Sequence, residues 1–384
     1  MKKCNGIENS LIKEVIRIRR YLHQYPEISE KEYNTCKFIS EYLDDIGIGN
    51  KIVGNTGVVG TLINDLNYET IALRAEIDAL PIDEKNLFEY KSKNIGVMHA
   101  CGHDGIVATV LGLACLLKEN KDKLKCNIKF IFEPAEETGK GAKKLIEEKV
   151  LENPKVDKMI IFHFANSQPI GMEIQKNVST ATIGRVSIDI LGKSSHWGDA
   201  DKGINAISVS GKIINIIDEM NIYLNDKFPF ILGIGMINGG VKNNIMAENV
   251  HLEGTLRALD NHTFKYLINY LEEKMRVLSH DTGAKIKVNL ESHLPSVINN
   301  KELVELGSTI GKDIFKERFV LGEEPYLAGD NAAYYFQQVP GVRIVFFAEK
   351  ENEINYPLHN GKFDFNEEIF SYCIRTIYNM ILNL

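Results

Sequence analysis

Along the first half of the chain, apolar runs of strand length alternate with longer stretches of helical period. Residues 8–46 read as helical, with a break at Tyr25-Pro26, where proline denies the helix a donor. The second piece is expected to start at Ser29, with Glu32 as its capping partner three residues on, and to end at Gly47. Residues 57–63 and 70–78 read as strands, 103–119 as a largely buried helix, and 127–137 as a strand running into a carboxylate cluster. A helix over 139–151 and a strand over 156–165 follow, the strand carrying a histidine near its carboxyl end. This alternation predicts an α/β fold: a mostly parallel or mixed sheet with helices on both faces.

The pattern changes near residue 180. Half-exposed alternation over 180–198 leads to a helix over 203–220, strands over 229–240 and 248–260, a helix over 262–283 and a strand over 284–295. That β-α-β-β-α-β order predicts an inserted ferredoxin-like α+β unit. From about residue 296 the α/β character resumes and ends in a helix over 365–383. The expected division is a catalytic domain over 1–180 and 294–384, interrupted by a lid or dimerisation domain over 181–293.

Composition narrows the function classes. The chain has 384 residues, 44% hydrophobic and 25% charged, as expected of a globular protein able to bury a large core. A formal net charge of −7 and the lack of a Lys/Arg stripe argue against nucleic acid as a partner. No run of 18 uncharged apolar residues exists, so no membrane span is expected. The N-terminal segment reads as a charged amphipathic helix and not as an export signal. Six scattered cysteines do not form a disulfide framework, and together these features point to the cytoplasm. Most of these cysteines are expected to be buried thiols. Cys101 differs in having glycine, histidine and aspartate as neighbours.

The candidate chemistry centres on "VMHACGHDG" (97–105), "EPAEE" (133–137), His163 and His359. Thiolate, imidazole and carboxylate together suit a borderline divalent metal. Cys101 and His103, two residues apart, can ligate one metal or share between two. Of the adjacent Glu136 and Glu137, one can ligate while the other faces a bound water as general base. Taken singly, each has an ordinary reading: a buried thiol, a solvated charge run, a satisfied core histidine, and for His99 a surface or supporting residue. Asp78, Glu136, Glu137 and His163 all fall near the carboxyl ends of strands, where ligands gather in α/β sheets.

The segments "LRAEIDALPI" (73–82), "MHACGHDG" (98–105), "IFEPAEETGKGAKKLIEE" (131–148), "GGVKNNIMAENVHLEGTLRALD" (239–260) and "VPGV" (339–342), with "RRYLHQYPEISEKEYNT" (19–35), resemble the M20 metallopeptidase family. The likeness is to the amidohydrolase branch of aminoacylases, hippurate and auxin-conjugate hydrolases and N-acetyldiaminopimelate deacetylases. It implies two divalent ions per subunit (Mn, Zn, Co or Ni), held by Cys101, His103, Glu137, His163 and His359. It implies Glu136 as the base that activates a metal-bound water and returns the proton to the leaving amine. His196 resembles the lid histidine that steadies the oxyanion and can reach a partner's site, within a homodimer. Asn244 falls where the family often places a residue near the substrate, and Arg257 is a candidate to bind a substrate carboxylate, with a turn residue and a cross-strand ion pair as their plain alternatives. Asp78 and Asp104 are expected to support the ligands, or else to cap a strand end and a helix.

The resemblance therefore implies cleavage of small N-acyl amino acids, such as N-acetyl or N-benzoyl compounds, to a carboxylic acid and a free amino acid. A metal-dependent dipeptidase is the second reading. A non-catalytic binding protein on the same scaffold and a Cys-His nucleophilic hydrolase centred on Cys101 are further rivals. The chain departs from the branch at "SSHWGDADKG" (194–203), at "HFANSQP" (163–169) and at "LAGDNAAYYF" (327–336), where Trp197, Asp199 and Tyr334–Phe336 could line a pocket or simply pack.

Overall fold

The computed structural model describes residues 5–227 and 229–384; Cys4 lies outside them. The chain forms two compact units, one of residues up to Ser179 with Ile298–Glu323 and Asn331–Leu384, the other of Thr180–Val297 and Glu324–Asp330. The elements run α1 (Asn5–Gln24), α2 (Tyr33–Asp45), β1 (Gly49–Val53), β2 (Gly57–Leu62), β3 (Thr70–Glu76), α3 (His103–Glu119), β4 (Asn127–Glu133), α4 (Gly141–Glu147), β5 (Lys158–Ala165), β6 (Gly171–Gln175) and β7 (Val178–Thr180). They continue with β8 (Thr182–Leu191), α5 (Ala206–Leu224), β9 (Phe230–Gly239), β10 (Asn249–Ala258), α6 (Asn261–Thr282) and β11 (Lys285–Leu294). The last are β12 (Val297–Ile298), α7 (Lys301–Phe315), β13 (Phe319–Gly322), α8 (Ala332–Phe336), β14 (Gly341–Phe347) and α9 (Ile369–Leu382).

The first unit holds an eight-stranded mixed sheet in the order β1-β2-β4-β3-β5-β14-β6-β13. Its middle four strands, β4, β3, β5 and β14, are mutually parallel, so their carboxyl ends share one edge. Strands β3, β4 and β14 are buried along their whole length, which is why they read as continuous apolar runs. Leu73, Phe130, Phe132, Ile160, Phe162, Ile344 and Phe346 share one core with α1, α2, α3, α7 and α9, while α4 packs on β4 with α8. Helix α3 is buried almost all round, as its uniformly apolar sequence requires. The second unit is a four-stranded antiparallel sheet, β11-β8-β10-β9, covered by α5 and α6. Asn205 and Asp260 cap those two helices through their side chains. The α/β architecture with a ferredoxin-like insertion is the one the hydrophobic pattern predicted.

Two local expectations are corrected. Helix α2 begins at Tyr33 after Glu32, and Ser29 caps nothing: its hydroxyl donates to Asp78 Oδ2 at 2.7 Å. Glu32 turns inward, its Oε1 accepting from the Ala135 amide and its Oε2 from Thr56. Helix α4 stops at Glu147, and the chain turns at Lys149 with φ of 61°, so the apolar residues to 151 belong to a turn. The elements expected from the hydrophobic pattern do not include β1, β6, β7, β12, β13 and β14 individually. β1 and β13 border the sheet and are partly exposed, which weakens their signal.

Helix α1 is fastened to the first turn of α3 by buried charges. Arg19, 1% exposed at its side chain, bonds Asp104 at 3.0 Å, Asp364 at 2.5 Å and Glu367 at 2.9 Å. His23 lies between Asp104 (2.8 Å) and Glu84 (3.1 Å), one ring nitrogen to each. Removing one partner of such a cluster strands the others without water. Arg19→Met is therefore expected to destabilise the first unit by about 3–5 kcal/mol, measured by urea unfolding; a loss near zero would show that the cluster is not needed for folding.

Burial opposes a charge on His23, but Asp104 and Glu84 outweigh it and raise its pKa from 6.5 to about 9. A raised histidine stabilises fully below its unfolded pKa and loses that contribution as pH climbs through the folded one. Unfolding free energy is expected to fall between pH 6.5 and about 9, and His23→Gln to flatten that slope. An unchanged slope in the variant would assign the pH dependence elsewhere.

Candidate metal centre

The candidate ligands come from the shared carboxyl edge of the four parallel strands. Asp78 follows β3, Glu136 and Glu137 follow β4, and His163 sits near the end of β5. His359 stands on the loop after β14, and Cys101 and His103 lie at the start of α3. Ligand atoms of Cys101, His103 and His163 lie within 4.8 Å of one another, as do those of Cys101, Glu137 and His359, and those of His103, Glu136 and Glu137. Cys101, His103 and Glu137 each belong to two of these groups. The structure thus brings together Cys101, His103, Glu136, Glu137, His163 and His359.

The His103 and His163 rings are oriented by their outer nitrogens, and His359 is held by its main chain. His103 Nδ1 bonds the Asp78 carbonyl at 2.9 Å and lies 3.4 Å from its Oδ1, which turns Nε2 inward, 3.9 Å from Glu137 Oε1. His163 Nδ1 donates to the Phe164 carbonyl at 2.7 Å, leaving Nε2 to face Cys101 Sγ at 3.5 Å. His359 Nε2 lies 3.5 Å from the same Glu137 oxygen, and its amide donates to the Ala100 carbonyl at 2.8 Å. A bond at Nδ1 with Nε2 directed to a common point, as in His103 and His163, is the usual arrangement of a metal-binding histidine. His359 and Ala135 both have positive φ, 64° and 54°, an uncommon conformation for residues with a Cβ and one found at functional turns.

The turn carrying the two glutamates is held from several sides. The Glu137 amide donates to Asp78 Oδ2 and the Ala135 amide to Glu32 Oε1. Gly141 closes it, since a Cβ there would lie 1.8 Å from the Pro134 carbonyl. Burial works against the charge on Asp78, but bonds from His103, Ser29 and the Glu137 amide outweigh it and hold its carboxyl below the ordinary range. Burial pushes the Cys101 thiol up to about 12; a divalent ion beside it reverses that preference and stabilises the thiolate.

His103 Nε2 and Glu137 Oε1 are shut from solvent and make no hydrogen bond. Buried polar atoms left this way are costly, and a cation among them would satisfy both. Cys, His and carboxylate donors gathered within the span of one coordination sphere fit a borderline divalent ion. Burial did not single out Cys101: Cys36, Cys126 and Cys373 are buried too.

The remaining sequence candidates are not among these three groups of ligand atoms. Asp104, fully buried, spends its carboxylate on Arg19 and His23; α3 is preceded by Gly102, with no side-chain cap. His99 is 2% exposed and buried among Asp104, His23 and His103, and burial drives its pKa down to about 4. His196, Asn244 and Arg257 belong to the second unit. His196 is exposed, and its Nδ1 accepts from the Gly198 amide. Asn244 is exposed in a turn, and Arg257 donates to the Leu327 carbonyl instead of a carboxylate. Of the aromatics, Tyr334 lies under Lys143, Tyr335 is buried, and Phe336 packs on Gly341. Ser29, Glu32 and Asn331 touch the glutamate turn or its support, roles that the segments around 29–32 and 327–336 did not reveal.

Residues 72–383 match the model of peptidase family M20/M25/M40. The chain is 36% identical to thermostable carboxypeptidase 1 of Saccharolobus solfataricus, over 92% of this chain and 91% of that one. It is 34% identical to the N-acetyl-L-cysteine deacetylase of Bacillus subtilis, over 91% and 84%. A crystal structure of a dinuclear metal-binding peptidase of the M20 family from Bacillus subtilis superposes with a TM-score of 0.86 at 27% identity, covering 98% of each chain.

Asp78→Asn keeps every candidate ligand but weakens the hold on His103 and the Glu137 amide. It is expected to lower divalent-metal affinity roughly 10- to 100-fold, read by competition with a chromogenic chelator. Parental affinity in the variant would remove Asp78 from the support of the site.

Proposed function

Since the chain belongs to peptidase family M20/M25/M40 and is a metal-dependent hydrolase of amide or peptide bonds in small substrates, we propose that it cleaves dipeptides and other short peptides, releasing a free amino acid. The likeness to the thermostable carboxypeptidases, at 36% identity over nearly the full length of both, carries this reading. The N-acyl amino acids placed first by the sequence take second place, favoured by the likeness to the deacetylase. Both substrates present the same bond, a carbonyl joined to the nitrogen of an amino acid, and differ only on the acyl side.

Cys101, His103, Glu137, His163 and His359 are the residues that would hold two divalent ions. When bound, such ions supply Lewis-acid polarisation of the scissile carbonyl and acidify water toward neutral pH. Asp78 keeps the His103 ring in its tautomer and the Glu137 amide in place. Glu136, adjacent to Glu137 but free of the three-residue groups around Cys101, takes the proton of the attacking water and delivers it to the departing nitrogen. His196 is the donor to the oxyanion: with Nδ1 accepting from Gly198, its proton sits on Nε2. A homodimer assembled through the second unit belongs to the same reading.

The test is free-amine release from dipeptides and from N-acetyl and N-benzoyl amino acids by protein reloaded with Mn or Zn, beside a chelated control. Metal-dependent cleavage of dipeptides is expected, with Glu136→Gln lowering kcat roughly 10²- to 10⁴-fold at unchanged metal content. Cleavage confined to the acyl compounds would install the second reading. No cleavage by fully metallated protein would reject both.

A further inference from the structure

One side of the glutamate turn is fastened by Asp78 and Glu32; the other meets Asn331, which directly precedes α8 and is 1% exposed. The Asn331 side-chain amide donates to Glu133 Oε1 at 3.2 Å and to the Glu136 carbonyl at 3.1 Å. Its backbone N–H donates to Glu136 Oε1 at 3.4 Å. Glu133, fully buried at the end of β4, is in turn fixed by Arg74, whose Nε lies 2.8 Å from its other oxygen. A single residue therefore ties both the carboxylate and the main chain of Glu136 to a buried ion pair.

We infer that Asn331 is the positioning residue of Glu136, an inference that rests on the proposed role of Glu136 as proton carrier. The amide is suited to the place. It offers two N–H donors to two acceptors and brings no charge between two carboxylates. An aspartate would put acceptor against acceptor and add a third carboxylate in a buried space. An alanine would leave Glu133 and the Glu136 carbonyl each short of a donor. A base loosened by a fraction of an ångström loses rate more than substrate affinity. None of the three bonds goes to Cys101, His103, Glu137, His163 or His359, so the metal content has no reason to change.

The test uses full-length protein reloaded with Mn, as Asn331→Ala and Asn331→Asp, with metal content measured in each. Both variants are expected to lose roughly 10- to 100-fold in kcat, Asn331→Asp the more, with KM and metal content near parental. Ala333→Gly serves as the packing control, because Ala333 is buried in the same helix α8 and carries no polar side-chain atom. If Ala333→Gly lowers kcat as much as Asn331→Ala, the role is merely structural and the inference fails. If Glu136→Gln is inactive while Asn331→Ala keeps parental kcat, the inference fails alone. If Glu136→Gln turns over normally, the reading of Glu136 fails and takes the inference with it. A crystal structure of Asn331→Ala gives an answer independent of turnover: Glu136 held within about 0.5 Å of its parental position would overturn the inference.

Discussion

The structure depends on keeping carboxylates and imidazoles crowded together where water cannot solvate them. At the shared edge of β4, β3, β5 and β14, three overlapping groups of ligand atoms each fit inside 4.8 Å. Mutual repulsion and desolvation would drive such groups apart or neutralise them. Each is instead pinned by a bond from its outer side. His103 is held by Asp78, Glu137 by the same aspartate, Ala135 by Glu32, and His163 by the Phe164 carbonyl. The inward atoms are left facing one another, which makes the site a receptor for cations before any is bound.

The same constraint explains the buried charges beneath the site. Arg74 stands between Glu76 and Glu133, and Arg19 among Asp104, Asp364 and Glu367. Each guanidinium meets more than one carboxylate, as its forked donors allow. Arg19 and His23 bring α1 onto the first turn of α3, the turn that presents His103. Helix α1 thus belongs to the support of the site although none of its residues is a candidate ligand.

What could be read from the sequence follows from how far each cause reaches along the chain. Strands β3, β4 and β5 and helix α3 were legible because runs such as "IKFIF" and "IVATVLGLACLL" state their burial locally. The Cys101–His103 and Glu136–Glu137 pairs were legible as chemistry, and as a family pattern, because they are contiguous. Ser29 was misread as a cap, since its partner Asp78 lies 49 residues away. Arg19 meets Asp364 across 345 residues and Asn331 meets Glu136 across 195, so neither bond leaves a local trace. Asp104 shows the same limit: at the start of a helix it looks like a cap, yet its carboxylate is committed to α1.

Where the site residues stand does not order the two substrate readings. The groups that meet the scissile bond in the proposed mechanism see a carbonyl and a nitrogen, which a peptide and an N-acyl amino acid share. Cys101, His103, Glu136, Glu137, His163 and His359 therefore carry the reaction class and cannot choose between acyl sides. The segments that depart from the amidohydrolase pattern, 163–169, 194–203 and 327–336, are the places where a choice could be written. In them Trp197, 48% exposed, donates through its indole to the Asn243 carbonyl, and Tyr335 is buried. The proposed peptide reading therefore rests on the full-length likeness to the carboxypeptidases and not on a pocket preference.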